Sequence, residues 1–325
     1  MNVCIVGYGA IGPTHAEALS GIESVNIYGI CDIDKERADK GASAYDCIAF
    51  YDFEECLKDD KIDSIHICTP HYLHFEMIEK SLLAGKKVVT EKPITMKKEE
   101  FDILLEKYSD KPICPVFQNR TNLCVQTLKE IIESDSSIGK LKAARGILTW
   151  HRGADYYGKA AWRGTKAYEG GGVLINQAVH TLDLMIYLGG NIKSANAVMS
   201  NKSLQGVIEV EDTVDALLEF KNGATGLFYA TNAYAKTIAP EVLLEFEHAT
   251  FRYANKKLYR DGEFICVDDT SFSGKDYWGS GHARLFYDFY VKKQAFTLSD
   301  VENTMQTVFA MYESAENGED KKIEG

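Results

Sequence analysis

The sequence predicts an α/β Rossmann domain with a doubly wound parallel sheet. An α+β domain with a large open, mostly antiparallel sheet follows it. Three observations predict this fold. Short apolar runs alternate with helix-like segments up to residue 118, which implies right-handed β-α-β crossovers. The first run feeds Gly7-Tyr8-Gly9-Ala10-Ile11-Gly12 and a helix. Beyond residue 120, strand-like runs follow one another without intervening helices. A length of 325 residues favours two domains, set at 1–119 and 120–325.

In the first domain, residues 2–7, 25–31, 63–68, 86–90 and 113–117 read as strands, being short, apolar and bounded by turn residues. Residues 11–20, 35–44, 52–58, 72–84 and 97–108 read as helices. In the second domain, 122–134 reads as a helix and 141–150 as a strand. A polar, aromatic, glycine-rich loop covers 151–172 and leads into a helix at 173–188. Strand-like runs near 193–200, 212–220, 224–231, 241–247, 250–254 and 263–267 are divided by turn signals such as Lys221-Asn222-Gly223 and Asp261-Gly262. Helices return at 281–293 and 300–314, and the charged tail from Glu316 to Gly325 reads as frayed.

Composition narrows the function. The chain is 45% hydrophobic and carries a formal net charge of −12 without a basic block. That argues against nucleic acid or an anionic membrane as a partner. No apolar run approaches the ~18 residues that span a bilayer. The N-terminus enters a strand at once, so no signal peptide is expected. Eight cysteines without a C-x-x-C pair read as reduced thiols in a cytoplasmic protein, with no metal site.

The glycine motif indicates a dinucleotide. Gly7 permits the tight turn, Gly9 the approach of a pyrophosphate, and Gly12 the packing of helix on strand. The helix N-terminus, with Ala10 and Ile11 leading into it, offers free N–H groups to phosphate. Asp32, 20 residues beyond Gly12, stands where an acid accepts bonds from the adenosine ribose. It would repel a 2′-phosphate, so NAD is favoured over NADP. Ligands of such sheets lie at the carboxyl ends of the strands. Those ends carry Thr69-Pro70-His71, Glu91-Lys92-Pro93 and Gln118.

Two stretches carry candidate chemistry. Lys92, fixed by the following proline, is suited to hydrogen-bond a substrate hydroxyl and steady its alkoxide, although an exposed loop lysine is the plainer reading. Gly170-Gly171-Gly172 precedes a helix whose Leu174, Ala178, Leu182 and Met185 form an apolar stripe. Asn176 and His180 are four apart on one face, and Asp183 lies three further along. Three glycines would let a ligand reach the backbone. His180 is a candidate acid/base. Asp183 would fix its tautomer or bond nearby backbone.

With these motifs in hand, the chain resembles the Gfo/Idh/MocA family of oxidoreductases. The resemblance rests on Gly7-x-Gly9-x-x-Gly12, Cys68-Thr69-Pro70-x-x-x-His74, Glu91-Lys92-Pro93 and Gly170-Gly171-Gly172-x-x-x-Asn176-x-x-x-His180-x-x-Asp183. It implies NAD(P)-dependent oxidation or reduction of a sugar or polyol carbon, with Lys92 and His180 as the catalytic pair. It also implies that Thr69, Pro70 and Glu91 line the cofactor, and that the open sheet builds a homodimer or homotetramer. Many members carry aspartate where this chain has Asn176. Asparagine does not titrate, so Asn176 is expected to orient a substrate hydroxyl.

Further substrate candidates are Arg120 and Arg163, either of which suits a sugar carboxylate or forms a salt bridge instead. Tyr156, in the loop at 151–172, and His282, after Tyr277, Trp278 and the glycines, are candidates as well. His74 reads as structural. Two rival functions remain open at this point. One is an NAD-dependent glycosidase that oxidises its substrate transiently, eliminates the aglycone and restores the cofactor. The other is a catalytically silent sensor or corepressor.

Overall fold

A computed structural model of the chain describes residues 1–269 and 280–323. By its internal contacts the chain forms two compact units. One comprises Met1–Gln118 with Gly281–Asp300, and the other Asn119–Ser280 with Val301–Gly325.

The first unit is built on six strands: β1 (Asn2–Val6), β2 (Asn26–Cys31), β3 (Ile48–Phe50), β4 (Ser64–Ile67), β5 (Lys87–Thr90) and β6 (Ile113–Pro115). Their order is β3-β2-β1-β4-β5-β6, all parallel. Helices α1 (Gly12–Ser20), α2 (Lys35–Tyr45), α3 (Phe53–Lys58), α4 (His74–Leu83) and α5 (Lys98–Tyr108) make the crossovers. Both faces of such a sheet are covered, which is why Val3, Cys4, Ile5 and Val6 are all buried in succession. The chain order reverses direction beside β1, between β1 and β4, the switch point where a dinucleotide lies in this architecture.

The second unit is a nine-stranded sheet: β7 (Leu141–Thr149), β8 (Ile192–Ser200), β9 (Thr213–Phe220), β10 (Thr225–Thr231), β11 (Glu241–Phe246), β12 (Thr250–Ala254), β13 (Lys257–Arg260), β14 (Glu263–Val267) and β15 (Lys321–Lys322). The order is β14-β13-β12-β11-β7-β10-β9-β8-β15, antiparallel throughout except for β7 against β10. Along β9, Val214, Ala216, Leu218 and Phe220 are buried, while Asp215, Leu217 and Glu219 face outward. One face is therefore core and the other open. The remaining helices of this unit are α6 (Leu123–Ser134), the short α7 (Ala154–Tyr157), α8 (Val179–Gly189) and α10 (Glu302–Asn317). A π-helical stretch, Val173–Ala178, leads into α8.

Two features depart from the sequence expectation. Residues 281–300, expected with the second domain, pack on the first. Helix α9 (Gly281–Tyr287) and the π-helical Asp288–Lys292 follow each other there. Phe286 packs at 4.8 Å from both His15 and His66, and the Tyr290 hydroxyl bonds His66 Nε2 and Ser64 Oγ at 2.7 and 2.8 Å. These contacts fix the segment beneath β1 and β4. The tail is also more ordered than its charge implies. Helix α10 runs to Asn317, Lys321–Lys322 pair with β8, and Ile323 is buried.

Candidate active site

Backbone geometry at the end of β1 dictates the glycines. Gly7 has φ +91°, and a Cβ there would stand 2.7 Å from the Cys68 carbonyl carbon at the end of β4. A Cβ on Gly12 would meet the Gly7 carbonyl oxygen at 2.5 Å. At Gly9 nothing lies within 4 Å, so the backbone there is open to a ligand. Pro13 lies in the first turn of α1, whose first N–H groups follow the open loop. Asp32, at the end of β2, accepts from the Tyr8 and Asp34 amides at 2.8 and 2.9 Å and from Arg37 Nη2 at 2.9 Å. Burial opposes its charge, but the bonds from Arg37, Asp34 and Tyr8 outweigh burial and hold its carboxyl below the usual range. An open glycine beside a fixed carboxylate fits the phosphate and ribose of a dinucleotide.

Thr69, Pro70 and buried His71 follow β4. His74, at the start of α4, places Nε2 at 2.9 Å from the Thr69 carbonyl and Nδ1 at 2.6 Å from the Pro93 carbonyl. It thereby ties the loop after β4 to the loop after β5. Gln118 is buried at the end of this unit's first segment.

Glu91 and Lys92 follow β5. Glu91 is buried and its Oε1 lies 3.0 Å from His15 Nε2 and 3.7 Å from His282 Nε2. Its Oε2 accepts from the Lys92 backbone amide at 3.3 Å. His15 Nδ1 in turn contacts His66 Nδ1 at 2.8 Å. A buried line thus runs from Glu91 through His15 and His66 to Tyr290 and Ser64. Burial opposes ionisation of Glu91, yet the two histidines facing it hold its carboxyl well below the usual range. Burial also lowers His15, and lowers His66 further with His15 beside it. His15, Glu91 and His282 bring possible metal ligands within 4.8 Å of one another. His15 already uses one ring nitrogen on Glu91 and the other on His66, so the group is described by its hydrogen bonds. His282, expected at a substrate, lies instead in this buried line; Tyr277 and Trp278 before it lie outside the described residues.

In the second unit the candidates gather around Gly170–Gly172. Leu174, Ala178, Leu182 and Met185 are fully buried, but so are most of their neighbours, so burial extends well beyond the one stripe. Asn176 is buried, and His180, in the first turn of α8, is half-buried. The glycines serve a purpose other than ligand access. A Cβ on Gly171 would stand 2.0 Å from the Tyr312 hydroxyl, and one on Gly172 would stand 1.9 Å from the Glu211 carbonyl oxygen. The Glu211 carboxylate accepts from the Gly172 and Leu174 amides at 2.9 and 3.0 Å and from Tyr312 at 2.8 Å, capping the helix start. Burial raises its carboxyl above the usual range.

Asp183 faces away from a role in binding substrate. Its two oxygens accept from Arg120 Nη2 at 2.6 Å and Nε at 2.9 Å, and Thr304 adds a third bond at 2.8 Å. Both Arg120 and Asp183 are buried, and Arg120 also lies 4.8 Å above the Tyr187 ring. The pair joins the chain after the last parallel strand to α8 and α10. Arg163 stacks 4.5 Å over Tyr156 and donates to its carbonyl.

Three polar residues escape the sequence reading. Glu169 is fully buried, accepts from the Gly164 amide and from Asn176 Nδ2, and is pushed up to about 7 by burial. Gln177 Oε1 accepts from Asn232 Nδ2 at 2.9 Å, and its own Nε2 donates to the Tyr156 hydroxyl at 3.4 Å. Asn232 Nδ2 also donates to Tyr157 at 2.9 Å. An acid directly before three glycines was the available signal for Glu169. Asn232 gave none.

Comparison with known proteins places this geometry. Residues 1–116 match the oxidoreductase family with the NAD-binding Rossmann fold, and residues 125–252 match the Gfo/Idh/MocA C-terminal domain. Levoglucosan dehydrogenase of Pseudarthrobacter phenanthrenivorans is 30% identical over 209 residues, 57% of this chain and 53% of that protein, so the match spans about half its length. Myo-inositol 2-dehydrogenase of Thermotoga maritima is 24% identical over 99% of this chain and 92% of its own. The WlbA dehydrogenase of Bordetella pertussis, solved with NADH and UDP-GlcNAcA, superposes with a TM-score of 0.88 at 24% identity, covering 100% of this chain and 98% of that one. At that identity the likeness shows the fold.

Proposed function

The chain belongs to the Gfo/Idh/MocA family of oxidoreductases, and we propose that it is an NAD-dependent dehydrogenase acting on a secondary hydroxyl of a sugar or cyclic polyol. Levoglucosan and myo-inositol, named in the relatives' activities, define the substrate class to test first. The observation that carries the reading is Glu91–Lys92. A buried carboxylate, held ionised by two histidines, bonds the lysine's own amide and fixes the backbone from which Lys92 extends at the carboxyl end of β5.

Gly7, Gly9 and Gly12 hold the pyrophosphate and Asp32 the adenosine ribose. Bound NAD supplies the hydride acceptor for the carbinol carbon. Lys92 Nζ donates a hydrogen bond to the substrate oxygen and stabilises the negative charge that grows there. His180 takes the hydroxyl proton. Asn176 orients the substrate by hydrogen bonding, and Arg163, stacked on Tyr156, supplies a fixed cation for substrate oxygens.

Two further readings go with this one. The open face of β8, β9 and β10 carries Val198, Leu217 and Leu227, exposed by 64%, 65% and 45%, with Leu217 directly opposite Leu227. We assign that face to a contact between copies in a homodimer or homotetramer. Free thiols at all eight cysteines support a reducing, cytoplasmic setting. Among the described residues, no helix is long and apolar enough to cross a membrane. The experiment is a panel of sugars, anhydrosugars, glycosides and inositols incubated with the protein and NAD. NADH formation from at least one secondary alcohol is expected. Aglycone release without net NADH would replace the dehydrogenase by redox-assisted cleavage, and silence across the panel would refute both.

A further inference from the structure

The stretch 151–166 carries a charge opposite to that of the chain. It holds Arg152, Lys159, Arg163 and Lys166 against the single acid Asp155, in a protein whose formal net charge is −12. Arginines elsewhere in the chain are neutralised by carboxylates, as Arg37 is by Asp32 and as Arg145 and Arg252 are by Glu241. Among the described residues, Arg152 and Arg163 pair with no carboxylate, and their hydrogen bonds go to carbonyls and a hydroxyl. Glu169 feels the charge of Arg163, but it accepts from the Gly164 amide and from Asn176 and not from the guanidinium.

Aromatic rings hold these two cations in place of carboxylates. The guanidinium carbons of Arg163 and Arg152 lie 4.5 and 5.3 Å from the centre of the Tyr156 ring, and that of Arg152 lies 4.5 Å from the Trp150 ring. Tyr156 is itself fixed. Its ring meets Tyr157 edge-on at 5.0 Å, and its hydroxyl accepts from Gln177 Nε2 at 3.4 Å. Gln177 follows Asn176 in the chain, so the ring is tied to the stretch that carries a proposed substrate contact. A ring attracts a cation but leaves its net charge and its in-plane donors unused. Arg163 donates Nη1 to the Tyr156 carbonyl at 3.3 Å, and its buried Nε meets no acceptor. Arg152 donates Nη1 to the His151 carbonyl at 2.8 Å and to Thr237 Oγ1 at 3.5 Å. In both, the Nε–Nη2 edge is left over, the edge that grips a carboxylate or phosphate through two parallel bonds. Two like charges beside one ring also repel each other, and a bound anion removes that repulsion. We propose that Arg152 and Arg163 bind an anionic group of the substrate, the carboxylate of a sugar acid or the phosphate of a sugar phosphate, and so select acidic sugars over neutral ones. The inference rests on the dehydrogenase reading above and narrows its substrate class.

The test repeats the substrate panel with each sugar set beside its uronic acid and its 6-phosphate, for glucose D-glucuronate and D-glucose 6-phosphate. An anionic member is expected to exceed its neutral parent at least about tenfold in kcat/KM, chiefly through KM. The excess should shrink as salt rises from about 0.02 to about 0.5 M. Preference for the acid or for the phosphate identifies the group bound. Arg163→Ala should cut the anionic-to-neutral ratio about tenfold to a hundredfold, and Arg163→Lys, which keeps the charge and loses the fork, should restore part of it. Arg152→Ala should lower the same ratio and covers the case in which R163A fails to fold. Neutral sugars turned over as well as their anionic partners, or a wild-type ratio in either alanine variant, overturn the proposal and leave the dehydrogenase reading intact. Absence of NADH from neutral and anionic members alike overturns both.

Discussion

Replacing Asp32 by alanine should change the cofactor this protein accepts, through two effects that the structure separates. In the proposed reading the carboxylate accepts from the ribose, and in the structure it anchors Arg37, which lies 2.9 Å from it and is half exposed. Losing a charged acceptor for the ribose hydroxyls costs about 1.5–3 kcal/mol, or roughly a tenfold to a hundredfold loss in affinity for NADH. The same change removes the negative charge that repels a 2′-phosphate and releases a guanidinium beside the place where that phosphate would stand. Affinity for NADPH should therefore rise, and the preference for NADH over NADPH should fall by about a hundredfold or more. Fluorescence titration of both reduced cofactors against wild type and D32A measures this, with Arg37→Ala as the partner variant. D32A/R37A should lose the gain for NADPH and keep the loss for NADH. A wild type that binds NADPH as tightly as NADH, or a D32A variant with the wild-type ratio, would refute the reasoning.

Three other expectations can be checked by stability measurements. Gly172→Ala forces a methyl onto the Glu211 carbonyl, which itself accepts from Val173, so neither backbone can yield cheaply. A loss of about 1–3 kcal/mol or more is expected, whereas Gly9→Ala, in open space, should leave the melting temperature unchanged and weaken NADH binding. Similar melting for both variants would contradict the packing argument. Asp183→Ala leaves the buried Arg120 guanidinium without its carboxylate and should cost about 3–5 kcal/mol in urea unfolding; a change under about 0.5 kcal/mol would show the pair to be unimportant. The pH dependence follows from opposing shifts. His15, His66 and His74 are lowered by burial, so below about 6.5 the unfolded chain takes up protons the folded one refuses, and stability falls as pH drops. Glu169 and Glu211 are raised, so each favours the folded state as pH falls towards its unfolded value. The histidines and the two glutamates thus act in opposite directions, and Glu169→Gln, which removes one of the opposing groups, should steepen the loss of stability as pH falls below about 6.5. Equal slopes in the two proteins would contradict these assignments.

The parallel sheet was legible because its strands are buried on both faces and bounded by turn residues, so apolar runs such as Val3–Val6 stand out. Strands β3, β13 and β15 were not, for a physical reason. They are two to four residues long and held mainly by backbone pairing; Lys321–Lys322 has no apolar pattern at all. Placement of residues 281–300 depends on Phe286 and Tyr290 meeting His15, His66 and Ser64, contacts more than two hundred residues apart in sequence. Among site residues, the glycine motif, Asp32, Lys92 and the Asn176–His180 helix were visible as patterns. What each side chain bonds was not. Local spacing suggested that Asp183 serves His180 or bonds nearby backbone, whereas its partners are Arg120 and Thr304, 63 and 121 positions away. The three glycines suggested an open backbone, whereas two of them are filled from outside by Tyr312 and Glu211. Burial of Glu169, the property that makes it titrate near neutrality, has no signature in a single sequence.

The assignment of Lys92 and His180 as the acid–base pair is tested most directly by the turnover of Lys92→Ala and His180→Ala on a sugar that wild type oxidises, measured beside NADH affinity in the same preparations. Each variant should lose at least ~100-fold in kcat while binding NADH within about twofold of wild type. Near-normal kcat in either variant, with cofactor bound, would remove that residue from the chemistry.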